Sequence, residues 1–157
     1  MITAIADVLR HNGGLATTAQ LLHVITRQQL DVQVANGGLV RVWHGVYARG
    51  EPDLVFKLAA LDIVTGRETV ASMGTAAALY GFDTENTTAI HILDPGVGTR
   101  STTGLVVHQR VGAPTRLVAS RLATAPAWTA VEDARQLRRP RALATLDAAL
   151  RSRWCTA

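Results

Sequence analysis

The sequence predicts an α+β chain in two parts: a small helical unit closed by a β-hairpin over residues 1–50, and a mixed α/β domain over residues 51–157. Three observations predict it. Residues 3–36 hold three short segments with helical apolar spacing. Residues 39–49 read strand, turn, strand around Gly45. The remainder alternates helical stripes with two strand-like runs, 88–94 and 105–108. Apolar residues make up 48% of the chain but aromatic ones only 4%, so the core must be built from Ala, Val and Leu.

Taken in order, Ile2, Ile5, Val8 and Leu9 recur at helical spacing, which predicts a helix over 3–12 ended by Asn12-Gly13-Gly14. Leu15-Ala16 lead into a second helix capped by Thr17 or Thr18, carrying Leu21, Leu22 and Val24. After a turn at Val24-Ile25, Thr26 caps a third helix with Arg27 in its first turn. Val40, Val42, Val46 and Ala48 form a hairpin around Trp43-His44-Gly45. Three helices followed by such a hairpin make a winged helix-turn-helix.

Glu51-Pro52-Asp53 marks a junction to a helix over 53–65, with Leu54, Leu58 and Leu61 as its core stripe. A small-residue helix over 70–80 ends at Gly81. The strand 88–94 is followed by Asp94-Pro95-Gly96 and a Gly/Thr-rich loop, and Leu105–His108 returns beside it as a hairpin. Residues 114–122 hold another short element. Helices over 128–137 and 142–153 close the chain, joined by Arg138-Arg139-Pro140-Arg141; Leu143, Leu146 and Leu150 are the apolar stripe of the last.

On the third helix, Leu30 and Val34 face inward, and Gln28, Gln29, Val32 and Asn36 lie broadly opposite. Gln and Asn can hydrogen-bond adenine through two atoms, and Val32 can touch a thymine methyl. Arg27, Arg41 and Arg49 are placed for phosphates, and Thr26, which caps the helix, and His44 in the hairpin complete the expected DNA-binding set. Trp43 is expected to pack rather than stack on a base. Fifteen of the sixteen basic residues are arginine, Lys57 being the lysine, and the formal net charge is +4. Arginine's planar fork suits phosphate and guanine, although a coding bias toward arginine accounts for part of the excess. These features point to double-stranded DNA as a partner, bound without catalysis.

Other chemistries find little footing. Adjacent Glu132-Asp133 diverge by about 100° on a helix, and Lys57 has no carboxylate cluster near it, so no nuclease centre is expected. His11, His23, His44, His91 and His108 lack zinc-ligand spacing, and Cys155 has no cysteine to pair with. His91 and His108 are expected to form a structural pair on neighbouring strands. Ser72 and Ser101 have no nucleophile-elbow context, and Gly96-Val97-Gly98-Thr99-Arg100 reads as a hairpin loop rather than a phosphate cradle. No cofactor or metal is therefore expected. Arg138, Arg139 and Arg141 fit either a solvated connector or a contact patch for phosphate or an acidic protein. No apolar run reaches the length of a membrane span, and Met1–Asp7 has no basic leader, so a cytoplasmic protein without a membrane partner is expected.

Several of these positions together resemble the AbiEi family of antitoxins, in its arginine-rich actinobacterial branch. They are Thr26, Arg27, Gly37, Leu39, Arg41, Val42, His44, Gly45, Val46 and Tyr47, then Leu79-Tyr80-Gly81, the strand ending at His108, Thr129–Arg135 and Leu146–Arg151. The resemblance implies a repressor that binds inverted repeats in its own promoter, as a homodimer or in pairs. It also implies a nucleotidyltransferase-like toxin as the partner it counters. His44 stands where the hairpin often has Arg, which weakens a phosphate contact near neutral pH. Met73-Gly74 replace a frequent polar pair. Relatives usually continue beyond the last helix, so the resemblance implies a C-terminally shortened member. Two other function classes fit part of the chain: an interaction module that binds a toxin without DNA, and the remnant of a nuclease-fused protein.

Overall fold

The computed structural model describes residues 3–82, 88–96 and 98–155. Ile2, Val97 and Thr156 lie outside them. Seven helices and two sheets are present among the described residues, in two compact units, Met1–Arg67 and Glu68–Ala157.

The first unit runs α1 (Thr3–His11), β1 (Leu15–Thr17), α2 (Thr18–Leu22), α3 (Arg27–Ala35), β2 (Val40–Trp43), β3 (Val46–Ala48) and α4 (Leu54–Thr65). Its core joins Ile5 and Leu9 of α1, Leu21 and Ile25 around α2, Leu30 of α3, and Leu39 and Tyr47 of the hairpin. Each fully buried side chain of this size contributes roughly 1.5–3 kcal/mol relative to exposure.

Leu15-Ala16 lead directly into α2, capped by Thr17 as the sequence suggests, but they are themselves a strand that the sequence does not announce. They form β1, which pairs antiparallel with β3 in the register Leu15↔Ala48, Ala16↔Tyr47 and Thr17↔Val46. The strand is three residues long, too short to show a period of two in the sequence. The sheet order is β1-β3-β2.

Both helices that follow start with the same device. Thr17 Oγ1 accepts from Gln20 N at 3.2 Å, while Thr17 N donates to Gln20 Oε1 at 2.8 Å. Thr26 Oγ1 accepts from Gln29 N at 3.2 Å, while Thr26 N donates to Gln29 Oε1 at 2.9 Å. Each is a reciprocal capping box written in the sequence as Thr-x-x-Gln.

The hairpin does not end its unit at residue 50. Trp43 packs, and its Nε1 donates to the Lys57 carbonyl of α4 at 2.7 Å. Val42, Trp43, Phe56 and Ala59 then cover a second cluster of Leu15, Val46, Ala48 and Ala60. The compact unit thus runs on through α4 to Arg67.

The second unit holds β4 (Val70–Ala71), α5 (Met73–Tyr80), β5 (Ile90–Leu93), β6 (Leu105–His108), β7 (Thr115–Val118), β8 (Arg121–Thr124), α6 (Pro126–Gln136) and α7 (Arg139–Arg151). The strands lie in the order β6-β5-β4-β8-β7. The expected hairpin between residues 88 and 108 is not formed, because β6 runs parallel to β5, from Ile90↔Leu105 to Leu93↔His108. A four-residue strand spans only about 13 Å at ~3.3 Å per residue, so the connecting segment is long enough to return to the starting end without a helix. The hairpin lies instead between β7 and β8, antiparallel, turning at Ala119-Ser120 with φ of 48° and 59°.

Three helix boundaries and one stripe also differ from the sequence reading. Val70-Ala71 belong to the sheet, not to the small-residue helix. α6 begins at Pro126 and α7 at Arg139, each with proline in the first turn, where a missing N–H costs nothing. The arginine-rich segment is therefore the start of a helix rather than a connector. On α7 the buried residues are Thr145 and Ala149, while Leu143 and Leu150 are 67% and 71% exposed. α6 likewise buries Thr129 and Ala130. Small residues let helices pack closely, and the leucines point the other way.

A threonine network stiffens this core. Thr129 Oγ1 donates to the Thr124 carbonyl at 2.8 Å, so Thr124 Oγ1 is the donor across the 2.6 Å contact between the two hydroxyls. Tyr80 Oη donates to the same carbonyl at 2.9 Å. Trp154 packs edge-on against the Tyr80 ring, with Arg116 over its face. No helix among the described residues is long and apolar enough to cross a membrane.

Candidate nucleic-acid interface

α3 is a nine-residue helix whose one buried side chain is Leu30. With Gln33 and Val34 half-buried beside it, Arg27, Gln28, Gln29, Asp31, Val32, Ala35 and Asn36 are exposed. At 100° per residue, Gln28, Val32 and Ala35 point most directly away from Leu30, with Asp31 and Asn36 on the flanks. Asn36 is the C-cap, its N–H given to the Val32 carbonyl at 3.0 Å, so its side-chain amide stands past the last turn.

Gln29 is also exposed, but its oxygen is taken up by the capping box with Thr26. A two-point contact to adenine requires both ends of the amide. The geometry thus leaves Gln29 a helix-starting role, and the Thr-x-x-Gln spacing was the available signal. Asp31 was missed by sequence reasoning. A carboxylate on this face can accept from a cytosine amine but repels phosphate.

His44 and Gly45 make the hairpin turn, Gly45 at φ 77°. The Gly45 carbonyl accepts from Thr18 N at 2.8 Å, which ties the turn to the start of α2. His44 is exposed at that turn. Arg41, on β2, donates through Nη2 to Tyr47 Oη at 3.4 Å and lies over the Tyr47 ring, 5.7 Å from its centroid. Its guanidinium is held against the Tyr47 ring. Arg49 lies elsewhere, with Arg10 at an open depression of about 330 Å³ lined by Ala6, Leu9, Gly14 and Phe56.

A second polar group lies in the other unit. His91 Nδ1 and His108 Nε2 are 3.0 Å apart, so one proton sits between them. Burial lowers both pKa values; Asp133 opposes the shift at His91, while at His108 the His91 and Arg110 charges add to it and Glu132 opposes it. Buried Glu132 binds Arg110 at 3.2 Å and Arg135 at 3.1 Å. Among the described residues, no three His, Cys, Asp or Glu side chains are grouped to hold a metal ion. Ser72 Oγ is buried without a hydrogen-bond partner, and the left-handed φ of 50° falls on Met73, so this strand-to-helix turn presents no exposed nucleophile.

Comparison with known proteins accounts for the second unit. The family model described as the AbiEi antitoxin C-terminal domain matches residues 69–157, which begins one residue inside the second compact unit. Two proteins from two strains of Mycobacterium tuberculosis, with the names Uncharacterized protein MT2308 and Uncharacterized protein Rv2248, are each 76% identical to the chain over 131 residues. That alignment covers 83% of this chain and 48% of each relative, so the chain spans about half the length of the curated relatives it matches. With more than half of its residues inside the family model, the chain belongs to the AbiEi antitoxin family.

Proposed function

We propose that the first unit is a winged helix-turn-helix that binds duplex DNA, and that the chain acts as an antitoxin repressing its own promoter at inverted repeats and countering a nucleotidyltransferase-like toxin. The observation that carries the DNA reading is α3 itself. It is capped at its first turn and pinned by one leucine, and it is followed by a hairpin tied back to α2. A helix that needs little of its surface for its own core is free to enter a major groove. Gln28, Val32 and Asn36 are then nearest the bases, with Arg27, Arg41 and His44 on the backbone. Thr26 and Gln29 hold the helix start, and Arg49 meets phosphate only on DNA that reaches the α1 side. Winged helices read inverted repeats in pairs, which makes a homodimer on DNA part of the proposal, and a cytoplasmic location follows from such a role.

The distribution of charge keeps the interaction-module reading in view. The first unit has six basic and five acidic residues, the second ten and seven. DNA affinity must therefore come from a few placed arginines rather than from a strongly basic unit.

The test is binding of the purified chain to its own upstream DNA and to scrambled DNA across a salt series. Gln28→Ala is expected to cost about 1–3 kcal/mol and relax specificity. Arg27→Ala is expected to weaken all sequences alike and reduce the salt slope by about one phosphate. Equal affinity for both DNAs at every salt concentration refutes the repressor reading.

A further inference from the structure

We infer that the outer face of α7 is a docking surface for an acidic amphipathic helix of another protein. The inference uses the second unit alone and does not depend on DNA binding by the first.

α7 buries Thr145 and Ala149 against its own unit. Leu143 and Leu150, seven residues apart, lie on one stripe turned away from that buried face, with half-buried Leu146 at the edge of it. Leu143 and Leu150 are among the most exposed large apolar side chains in the protein. A single exposed leucine needs no explanation, but two on one stripe of a helix form a patch. An amphipathic partner helix seats its own leucines on such a stripe.

The surrounding charge says what kind of helix fits. Arg139 lies one turn before Leu143 on the same stripe, Arg138 is exposed at the helix start, and Arg151 flanks Leu150. The one carboxylate on the exposed side is Asp147, and Arg151 already neutralises it at 3.1 Å. A second copy of this helix would bring the Arg138-Arg139 ends of two copies into like-charge contact or leave them unmatched, whereas a partner carrying glutamates beside its leucines meets opposite charge at that end. Nucleic acid would use the arginines but gain nothing from the leucines.

The probe is a fluorescein-labelled synthetic peptide with leucines at helical i, i+3, i+4 and i+7 spacing and glutamates elsewhere. A peptide of the same composition with the leucines scattered is the control, and binding to the full chain is read by anisotropy. Tenfold or tighter preference for the amphipathic peptide is expected. Leu143→Glu with Leu150→Glu is expected to abolish that preference, with an unchanged circular dichroism spectrum because both residues are exposed. Arg139→Glu is expected to weaken binding severalfold and to reduce its salt dependence. Equal binding of both peptides, or binding that survives the double leucine variant, overturns the inference. So does displacement of the peptide by random duplex DNA at equal charge, which would assign the face to nucleic acid. A dimer in sedimentation that dissociates in the double variant would assign it to a second copy.

Discussion

Removing the cap of α3 should loosen that helix by an amount the two hydrogen bonds set. Thr26→Ala deletes the acceptor for Gln29 N, and Gln29→Ala deletes the acceptor for Thr26 N. Both bonds are exposed, so water replaces part of what is lost, and a threonine cap is worth about 1 kcal/mol. That corresponds to about a fivefold rise in the opening constant of the first turn at 25 °C. The reporter is the Leu30 amide, which donates to the Thr26 carbonyl at 3.0 Å. Hydrogen exchange on the full chain, followed by NMR, should show Leu30 exchanging about fivefold faster in Thr26→Ala and severalfold faster in Gln29→Ala. The double variant should fall short of the sum by roughly 0.5 kcal/mol, since the bonds form as a unit. Gln28→Ala, one residue away and outside the box, should leave Leu30 exchange unchanged or slower, alanine being the better helix former. If Gln29→Ala behaved like Gln28→Ala, the capping role of Gln29 would be wrong and its amide would return to the base-reading face.

Three further outcomes follow from the packing and titration of particular groups. Ala149→Leu forces extra methylenes into the buried side of α7 and should cost about 1–3 kcal/mol in thermal denaturation, whereas Leu150→Ala on the exposed side should stay within about 0.5 kcal/mol. Gly14 sits at φ 89° with a would-be Cβ 2.9 Å from Phe56 Cζ, so Gly14→Ala should cost about 1–3 kcal/mol in urea unfolding, and a neutral result would show that this turn relaxes freely. The His91–His108 pair stays neutral in the fold to lower pH than in the unfolded chain, which takes up protons first. Its contribution is therefore intact above about pH 6.5 and is lost as pH falls from there through the lower folded-state values. Melting temperatures measured at about pH 7.5 and 5.5 should diverge more for the wild type than for a His91→Gln, His108→Gln double variant, and an equal drop would remove the pair from the account.

Where one face of an element is plainly apolar and the other polar, the sequence could be read directly. Leu30 and Val34 mark the inner side of α3, because turning that helix over would strand its polar side chains in the core. Thr17, Thr26 and Asp53 announce helix starts through short-range chemistry. The parts that were not legible depend on distant partners. Leu15–Thr17 becomes a strand only because β3 lies beside it, and Val70-Ala71 because β5 and β8 flank it. The direction of β6 is fixed by the path of the loop before it, on which a four-residue apolar run is silent. On α7 the rule that leucines face inward failed, since the small side chains of Thr145 and Ala149 occupy its buried face. In the candidate interface the exposed face of α3 was recoverable, but two features of its polar set were not read from the sequence. The oxygen of Gln29 was already engaged, and Asp31 was passed over.

The parallel pairing of β4 with β8 joins Ala71 to Ala123 across half a hundred residues of chain. During synthesis the first unit can close once α4 has left the ribosome, as all its strand partners lie before residue 50. The second unit must wait. Until Arg121–Thr124 emerge, β4 has only β5 for company, and the buried helix α5 has no α6 to cover it. Non-local strands form late and expose apolar surface meanwhile. A ribosome stalled before residue 121 would therefore hold out a finished N-terminal unit followed by an adhesive, half-built sheet, and chaperone capture of nascent chains should be concentrated in that window of lengths.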